Sequence, residues 1–151
     1  MTAVTNRPVD ILLVEDNEDD VVIIQEAFAE SRLVTIRNTV SDGEEALAYL
    51  RREGRYHVAP LPTLVLLDIN MPKKNGFEVI QAMKADPGLR SLPVVMLTMS
   101  DREEDIVRSY ASGACSYIRK PVDLAQFHMV VKGFELYWTV ISRIPVAHKT
   151  C

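Results

Sequence analysis

Five residues in this chain each close a strand-like segment and carry a group that can do chemistry. Glu15 and Asp16 end Ile11 to Val14, Asp68 ends Thr63-Leu64-Val65-Leu66-Leu67, Thr98 follows Val94 to Leu97, and Lys120 follows Ser116 to Arg119. Carboxylates crowded at neighbouring chain ends repel one another, which raises their proton affinity unless a cation neutralises them. An all-oxygen donor set with no histidine or cysteine nearby in sequence suits a hard divalent ion, Mg²⁺ or alternatively Mn²⁺. Lys120 supplies a compact positive charge and Thr98 a hydroxyl donor, and together they complement the oxygens of a phosphoryl group. Asp68 is then the nucleophile, because carboxylates form aspartyl phosphates and phosphoryl transfer demands positioning and charge neutralisation above all. Taken singly, a strand-end Asp reads as a helix cap, a Thr before a turn as a backbone partner and Lys-Pro as a loop step. The joint delivery of acidic, acidic, hydroxyl and ammonium groups to one rim by four strands in the right order overrides those readings.

Positioning these groups requires a sheet. The apolar run before Asp68 reads as a parallel strand buried on both faces, and in open α/β sheets the ligand crevice lies outside the carboxyl ends of the strands. Strands alternate with helices five times, which predicts an α/β fold with a doubly wound, five-stranded parallel sheet. After the first strand, Asn17 caps a helix with Val21, Ile24, Ala27 and Phe28 at helical spacing. Val34 to Val40 reads as an edge strand with Val34, Ile36 and Val40 on one face and Thr35, Arg37 and Thr39 on the other. Ser41 with Glu44 is expected to form a capping box, and Gly54, Pro60 and Pro62 break the chain before the third strand. A helix is predicted from Gly76 to about Ala85, stopping at Asp86-Pro87-Gly88. A second capping box, Ser100 with Glu103, opens a helix carrying Ile106, Val107 and Tyr110 that ends at Gly113.

The final helix, about Leu124 to Arg143, is close to 30 Å long at ~1.5 Å per residue, longer than the domain requires. Phe127, Val131, Phe134, Trp138 and Ile141 follow the core-facing period, while Met129, Leu136, Tyr137, Val140 and Ile144 extend the apolar surface around the cylinder. Two readings stay open: these turns lie over a neighbouring loop, or they form a subunit interface, the usual meaning of an exposed apolar patch.

Bulk composition narrows the function. The chain has 151 residues, 48% hydrophobic and 25% charged, with a net charge of -4, the composition of one ordinary globular domain. Without a lysine and arginine block, nucleic-acid binding is not expected. No apolar segment approaches the ~20 residues that span a bilayer, and Met1 to Arg7 lacks a signal-peptide core, so a cytoplasmic protein without membrane contact is expected. Cys115 and Cys151 read as bystander thiols, and His57, His128 and His148 as structural or surface residues.

The segments Ile11-Leu-Leu-Val-Glu-Asp-Asn17, Leu66-Leu-Asp-Ile-Asn-Met-Pro72 with Gly76, Leu97-Thr98, and Gly113-Ala114 with Tyr117-Ile-Arg-Lys-Pro121 resemble the receiver domain of two-component response regulators. The resemblance runs from about Val9 to Phe134. It implies a flavodoxin-like (βα)5 fold with strand order 2-1-3-4-5, a receiver over residues 9–144 and short tails at 1–8 and 145–151. It also implies that Asp68 accepts a phosphoryl group from a histidine kinase or histidine phosphotransfer protein. By position, Asp16 and Asp68 ligate Mg²⁺, Asn70 offers its backbone carbonyl and Glu15 acts largely through a bound water. Lys120 and Thr98 contact the phosphoryl oxygens, and Tyr117 swings inward as the switch that alters the fourth helix, fifth strand and fifth helix. Lys120-Pro121 is a cis peptide in this reading. Bulky Met99 departs from the small residue common in the family and narrows access to the phosphate, while Asn70 and Ser100 occupy positions that tune hydrolysis. Phe134-Glu-Leu-Tyr-Trp138 with Val140 and Ile144-Pro145, and the long loop Gly54 to Pro62, resemble single-domain regulators paired with bacterial phytochrome histidine kinases. That implies a light-sensing kinase partner and a homodimer, with Phe134, Tyr137, Trp138, Ile141 and Ile144 as interface candidates.

With no output domain expected after Pro145, the signal leaves through protein contacts, or the chain is a phosphorelay intermediate or a phosphate sink. It is expected to be a phosphoacceptor signalling protein rather than an enzyme. An aspartate-nucleophile phosphatase would want a second Asp two residues after the first, where this chain has Asn70. A flavin carrier would need a Ser, Thr and Gly-rich phosphate loop after the first strand, where Glu15 to Asp20 is acidic. Lys73 and Lys74 read as a solvated loop pair that could attract a phosphodonor.

Overall fold

A computed structural model of the chain describes residues 9–31, 33–71, 73–98, 108, 111–114, 116–119 and 123–141; at Thr98, Ser116, Arg119, Phe134 and 137–141 it describes the backbone alone. The elements are β1 (Val9–Val14), α1 (Glu18–Phe28), β2 (Val34–Val40), α2 (Gly43–Leu50), a 3-10 turn (Gly54–Tyr56), β3 (Leu64–Asp68), α3 (Gly76–Ala85), β4 (Val94–Thr98), β5 (Ser116–Arg119) and a C-terminal helix (Leu124–Ile141). The five strands form one parallel sheet in the order β2-β1-β3-β4-β5, as expected. Lys120, Pro121, Ile144, Met99, the Ser100 and Glu103 box and both cysteines lie outside the described residues.

Period-two alternation divides the buried strands between two cores. Leu12, Val14, Val65, Leu67, Val94 and Met96 pack with α2 and α3. Ile11, Leu13, Leu64, Leu66, Val95 and Leu97 face the other way, against Ile24, Ala27 and Phe28 of α1 and Phe127 and Val131 of the C-terminal helix. Each such fully buried aliphatic side chain contributes roughly 1.5–3 kcal/mol. Helices on both faces are what makes these strands apolar on both sides.

The β2 edge departs from the expected alternation. Ile11 pairs with Ile36 but Leu12 pairs with Asn38, so Arg37 is bulged out of register. A one-residue insertion reverses the facing of everything after it. Val34 and Ile36 therefore join the α1-side core while Val40 joins the opposite one, so the three do not share a face. The cap of α2 is also displaced by one residue. Asp42 rather than Ser41 is the N-cap, its Oδ1 accepting from Glu45 N at 2.7 Å, while the Glu45 carboxylate accepts from Ser41 N at 3.1 Å. Both Ser41…Glu44 and Asp42…Glu45 fit the capping pattern, and the choice is made by where β2 ends.

Asn17 caps α1 as expected, with Oδ1 accepting from Asp20 N at 3.0 Å. α3 runs over the predicted span and begins with a reciprocal box, Asn75 Oδ1 accepting from Glu78 N and Glu78 Oε1 from Asn75 N, both at 3.0 Å. On the C-terminal helix, Phe127 and Val131 are buried, whereas Met129 and Leu136 are 74% and 66% exposed.

Candidate metal and phosphoacceptor site

Strand register decides which side chains meet. Val14 pairs with Leu67, Asp68 with Leu97, and Thr98 with Arg119. The carboxyl ends of β1, β3, β4 and β5 therefore share one edge of the sheet, and Glu15 and Asp16 emerge beside Asp68. One carboxylate oxygen from each of Glu15, Asp16 and Asp68 lies within 4.8 Å of the others. Glu15 and Asp68 are each only 1% exposed, while Asp16 faces solvent. Thr98 ends β4 one residue past the register partner of Asp68. Tyr117 is half-buried on β5 against the α2 and α3 core. Lys120 would follow directly on Arg119 but lies outside the described residues, as does Pro121.

Backbone amides orient the two buried carboxylates. Asp68 Oδ1 accepts from Asn70 N at 3.2 Å, and Glu15 Oε2 accepts from Asn17 N at 3.2 Å. Ile69 N donates to Leu97 O at 3.0 Å, which pins the residue after Asp68 to β4. The loop after Asp68 then closes tightly, Gly76 N donating to Ile69 O at 2.8 Å. A Cβ on Gly76 would lie 2.7 Å from Asp68 O and 2.8 Å from Ile69 Cα. Only glycine lets α3 start this near the carboxylate-bearing strand end.

Two carboxylates this buried and this close need positive charge beside them. The donor set is oxygen only, the kind Mg²⁺ and Mn²⁺ take, and Mg–O bonds of ~2.1 Å hold ligand oxygens about 3 to 4.2 Å apart. A group already within 4.8 Å closes on such an ion with small side-chain adjustments, so the residues fit a divalent cation. The acidic first turn of α1, Glu18, Asp19 and Asp20, adds negative charge at the same rim. A phosphate approaching that rim is repelled unless a cation intervenes. A groove of about 430 Å³ that includes Glu15 and Asp16 runs between α1 and the end of β2, lined also by Val21, Val22, Val40, Glu18 and Glu45.

Sequence reasoning missed three features of this site's support. The Asn75 and Glu78 box was readable as N-x-x-E before an apolar run. The ion pair of Lys73 with Asp42, 3.7 Å between Nζ and Oδ2, joins residues 31 apart and carries no local signal. Lys73 is solvent-exposed, as expected of a solvated loop lysine, and carries this ion pair as well. The contact of Gly43 with Lys74 is equally non-local.

Comparison with known proteins agrees with this geometry. The family model for the response regulator receiver domain matches residues 11–132. Response regulator Rcp1 of Synechocystis sp. is 37% identical over 147 residues, 97% of this chain and 100% of the relative. The crystal structure of the phosphorylated cyanobacterial phytochrome response regulator RcpA superposes with a TM-score of 0.77 at 47% identity, covering 89% of this chain and 96% of that one. The Mn²⁺-bound form of Rcp1 superposes with a TM-score of 0.74 at 39% identity, covering 88% and 96%.

Proposed function

The chain belongs to the response regulator receiver domain family, and from that premise we propose that it is a single-domain response regulator whose Asp68 accepts a phosphoryl group from a sensor histidine kinase in a Mg²⁺-dependent reaction. The observation that carries this reading is the meeting of Glu15, Asp16 and Asp68, with Asp68 buried at the carboxyl edge of the sheet. A carboxylate oxygen of Asp68 attacks the phosphorus of a phosphohistidine, an O–P bond forms, the N–P bond breaks, and the departing imidazole takes up a proton. The Asn70 amide on Asp68 Oδ1 fixes the rotation of the carboxylate and leaves its other oxygen for attack. Asp16, Glu15, Asp68 and the Asn70 carbonyl would hold the ion, which supplies neutralising charge to the transferring oxygens.

Thr98 and Lys120 take the remaining phosphoryl oxygens in this reading. Tyr117 and Thr98 then transmit occupancy to the face made by the fourth helix, fifth strand and C-terminal helix. That face also carries the homodimer contact, through Phe134, Tyr137, Trp138, Ile141 and Ile144, and the exposure of Met129 and Leu136 supports an apolar surface in need of a partner. The likeness to the phytochrome response regulator RcpA favours a kinase of the bacterial phytochrome type.

Transfer from an autophosphorylated, radiolabelled phytochrome-type histidine kinase tests the reading. Label is expected to move to the wild-type chain in Mg²⁺ and not to Asp68→Asn. Label moving equally to Asp68→Asn would refute Asp68 as acceptor, and no movement from phytochrome-type kinases alongside rapid movement from another class would refute the partner.

A further inference from the structure

The start of α2 contributes no side chain to the acidic cluster, yet it grips the loop that leaves Asp68. A Cβ on Gly43 would lie 2.2 Å from the carbonyl oxygen of Lys74 and 2.6 Å from its Cβ. The absence of a side chain at this position is therefore what lets the two segments touch. One residue earlier, Asp42 reaches Lys73 with Nζ 3.7 Å from Oδ2, its other oxygen occupied as the N-cap of α2. Lys73 itself has φ +67°, a left-handed conformation that few residues other than glycine adopt and that persists only where surroundings hold it. Ile69 is thus tied back to Gly76, whose N donates to Ile69 O at 2.8 Å, and Lys73 and Lys74 meet the start of α2. Asn70 lies between these two points, its amide on Asp68 Oδ1.

We infer that Gly43 and Asp42 are positioning residues for the metal site: through Lys73 and Lys74 they fix the path of the loop after Asp68, and with it the Asn70 backbone, so that the cation finds its carbonyl and carboxylate donors already placed. The inference rests on the reading of Glu15, Asp16 and Asp68 as a divalent-cation site. Groups that orient metal ligands from outside the ligand shell typically change affinity by about 10- to 100-fold when removed. Here the ligand being held is a backbone carbonyl, and it is held through the packing and the ion pair of the residues that follow it.

The substitution Gly43→Ala separates this role from helix stability. Alanine in the first turn favours α2 by propensity, yet its Cβ drives Lys74 O back by most of an ångström. Mn²⁺ affinity of the whole chain, measured by calorimetry and by the paramagnetic signal of free Mn²⁺, is expected to fall about tenfold while the apo protein still melts cooperatively. Asp42→Asn keeps the cap, since Asn caps as well as Asp, and deletes the charge facing Lys73. It is expected to weaken Mn²⁺ about two- to fivefold, with the loss shrinking at high salt. Lys73→Ala should match it, and the double variant should be no worse than either single one, the mark of one shared interaction.

Wild-type and Gly43→Ala affinities within a factor of about two of each other, with both proteins folded, would overturn the positioning role while leaving the metal site standing. Additive losses in the double variant would overturn the role of the ion pair. A wild type that binds no Mn²⁺ would overturn the site reading and this inference together. Should Gly43→Ala fail to fold, the Asp42 and Lys73 variants decide the ion-pair arm by the same titration.

Discussion

Replacing Gly76 with alanine sets two opposed effects against each other beside Asp68, the proposed acceptor. Helix propensity favours alanine over glycine by about 0.5–1 kcal/mol in a helix. The new Cβ, however, would stand 2.7 Å from Asp68 O and 2.8 Å from Ile69 Cα, both backbone atoms in or beside β3 that cannot swing aside. Overpacking of this kind typically costs about 1–3 kcal/mol. Moving α3 away also stretches the 2.8 Å bond from Gly76 N to Ile69 O, a further ~0.5–1.5 kcal/mol. The steric and hydrogen-bond losses outweigh the propensity gain, leaving a net destabilisation of about 1–3 kcal/mol. Urea unfolding should show this as a lower midpoint at an unchanged slope, and thermal melting as a fall of roughly 2–12 °C for a chain this size. Because the displaced atoms belong to Asp68 and its neighbour, the rate of phosphoryl acceptance should fall by more than the lost folded fraction accounts for. A Gly76→Ala protein as stable as the wild type, with unchanged phosphoryl acceptance, would refute the claim that the close approach of α3 sets the position of Asp68.

Two further outcomes follow from packing and charge away from Asp68. Phe127, 1% exposed and edge-on to Phe28 at 6.4 Å between ring centroids, joins the C-terminal helix to α1; Phe127→Ala should cost about 3–5 kcal/mol in urea unfolding, and a loss below about 1 kcal/mol would mean that the helix is not part of the folded core. Burial raises the Glu45 carboxyl, but the Ser41 amide, the Tyr56 hydroxyl and Arg55 outweigh it and hold the group below the ordinary carboxylate range. A folded pKa below the unfolded one contributes stability present above the unfolded value of ~4.3 and lost as pH falls through the folded value. The stability gap between wild type and Glu45→Gln should therefore narrow as pH drops from 6 toward ~3, and a gap independent of pH in acid titrations would contradict the assignment.

How much of this was legible in the sequence depended on whether the cause was local. Strands buried on both faces announce themselves as apolar runs, so β1, β3 and β4, and the residues that end them, were readable directly. Their parallel register follows from the topology, and that register is what brings Glu15 and Asp16 beside Asp68. The Arg37 bulge was not readable, because Val34 to Val40 alternates plausibly with or without it and only pairing to β1 reveals the slip. The α2 cap was ambiguous because two overlapping segments satisfy the same pattern, and the end of β2 settles the choice. Gly43, Lys73 and Lys74 were illegible for a different reason: their significance lies in one loop meeting the start of a helix some thirty residues away. No periodicity encodes that contact.

Intact-mass spectrometry after incubation with acetyl phosphate and Mg²⁺, run on wild type, on Asp68→Asn and on a metal-free sample, puts the acceptor reading to the test. The expected result is a single gain of about 80 Da in wild type, labile to hydroxylamine as an acyl phosphate should be, and absent from both controls. An adduct that persists in Asp68→Asn or forms equally without metal would contradict the reading, as would a folded wild-type protein that gains no mass and shows no metal-dependent binding of beryllofluoride.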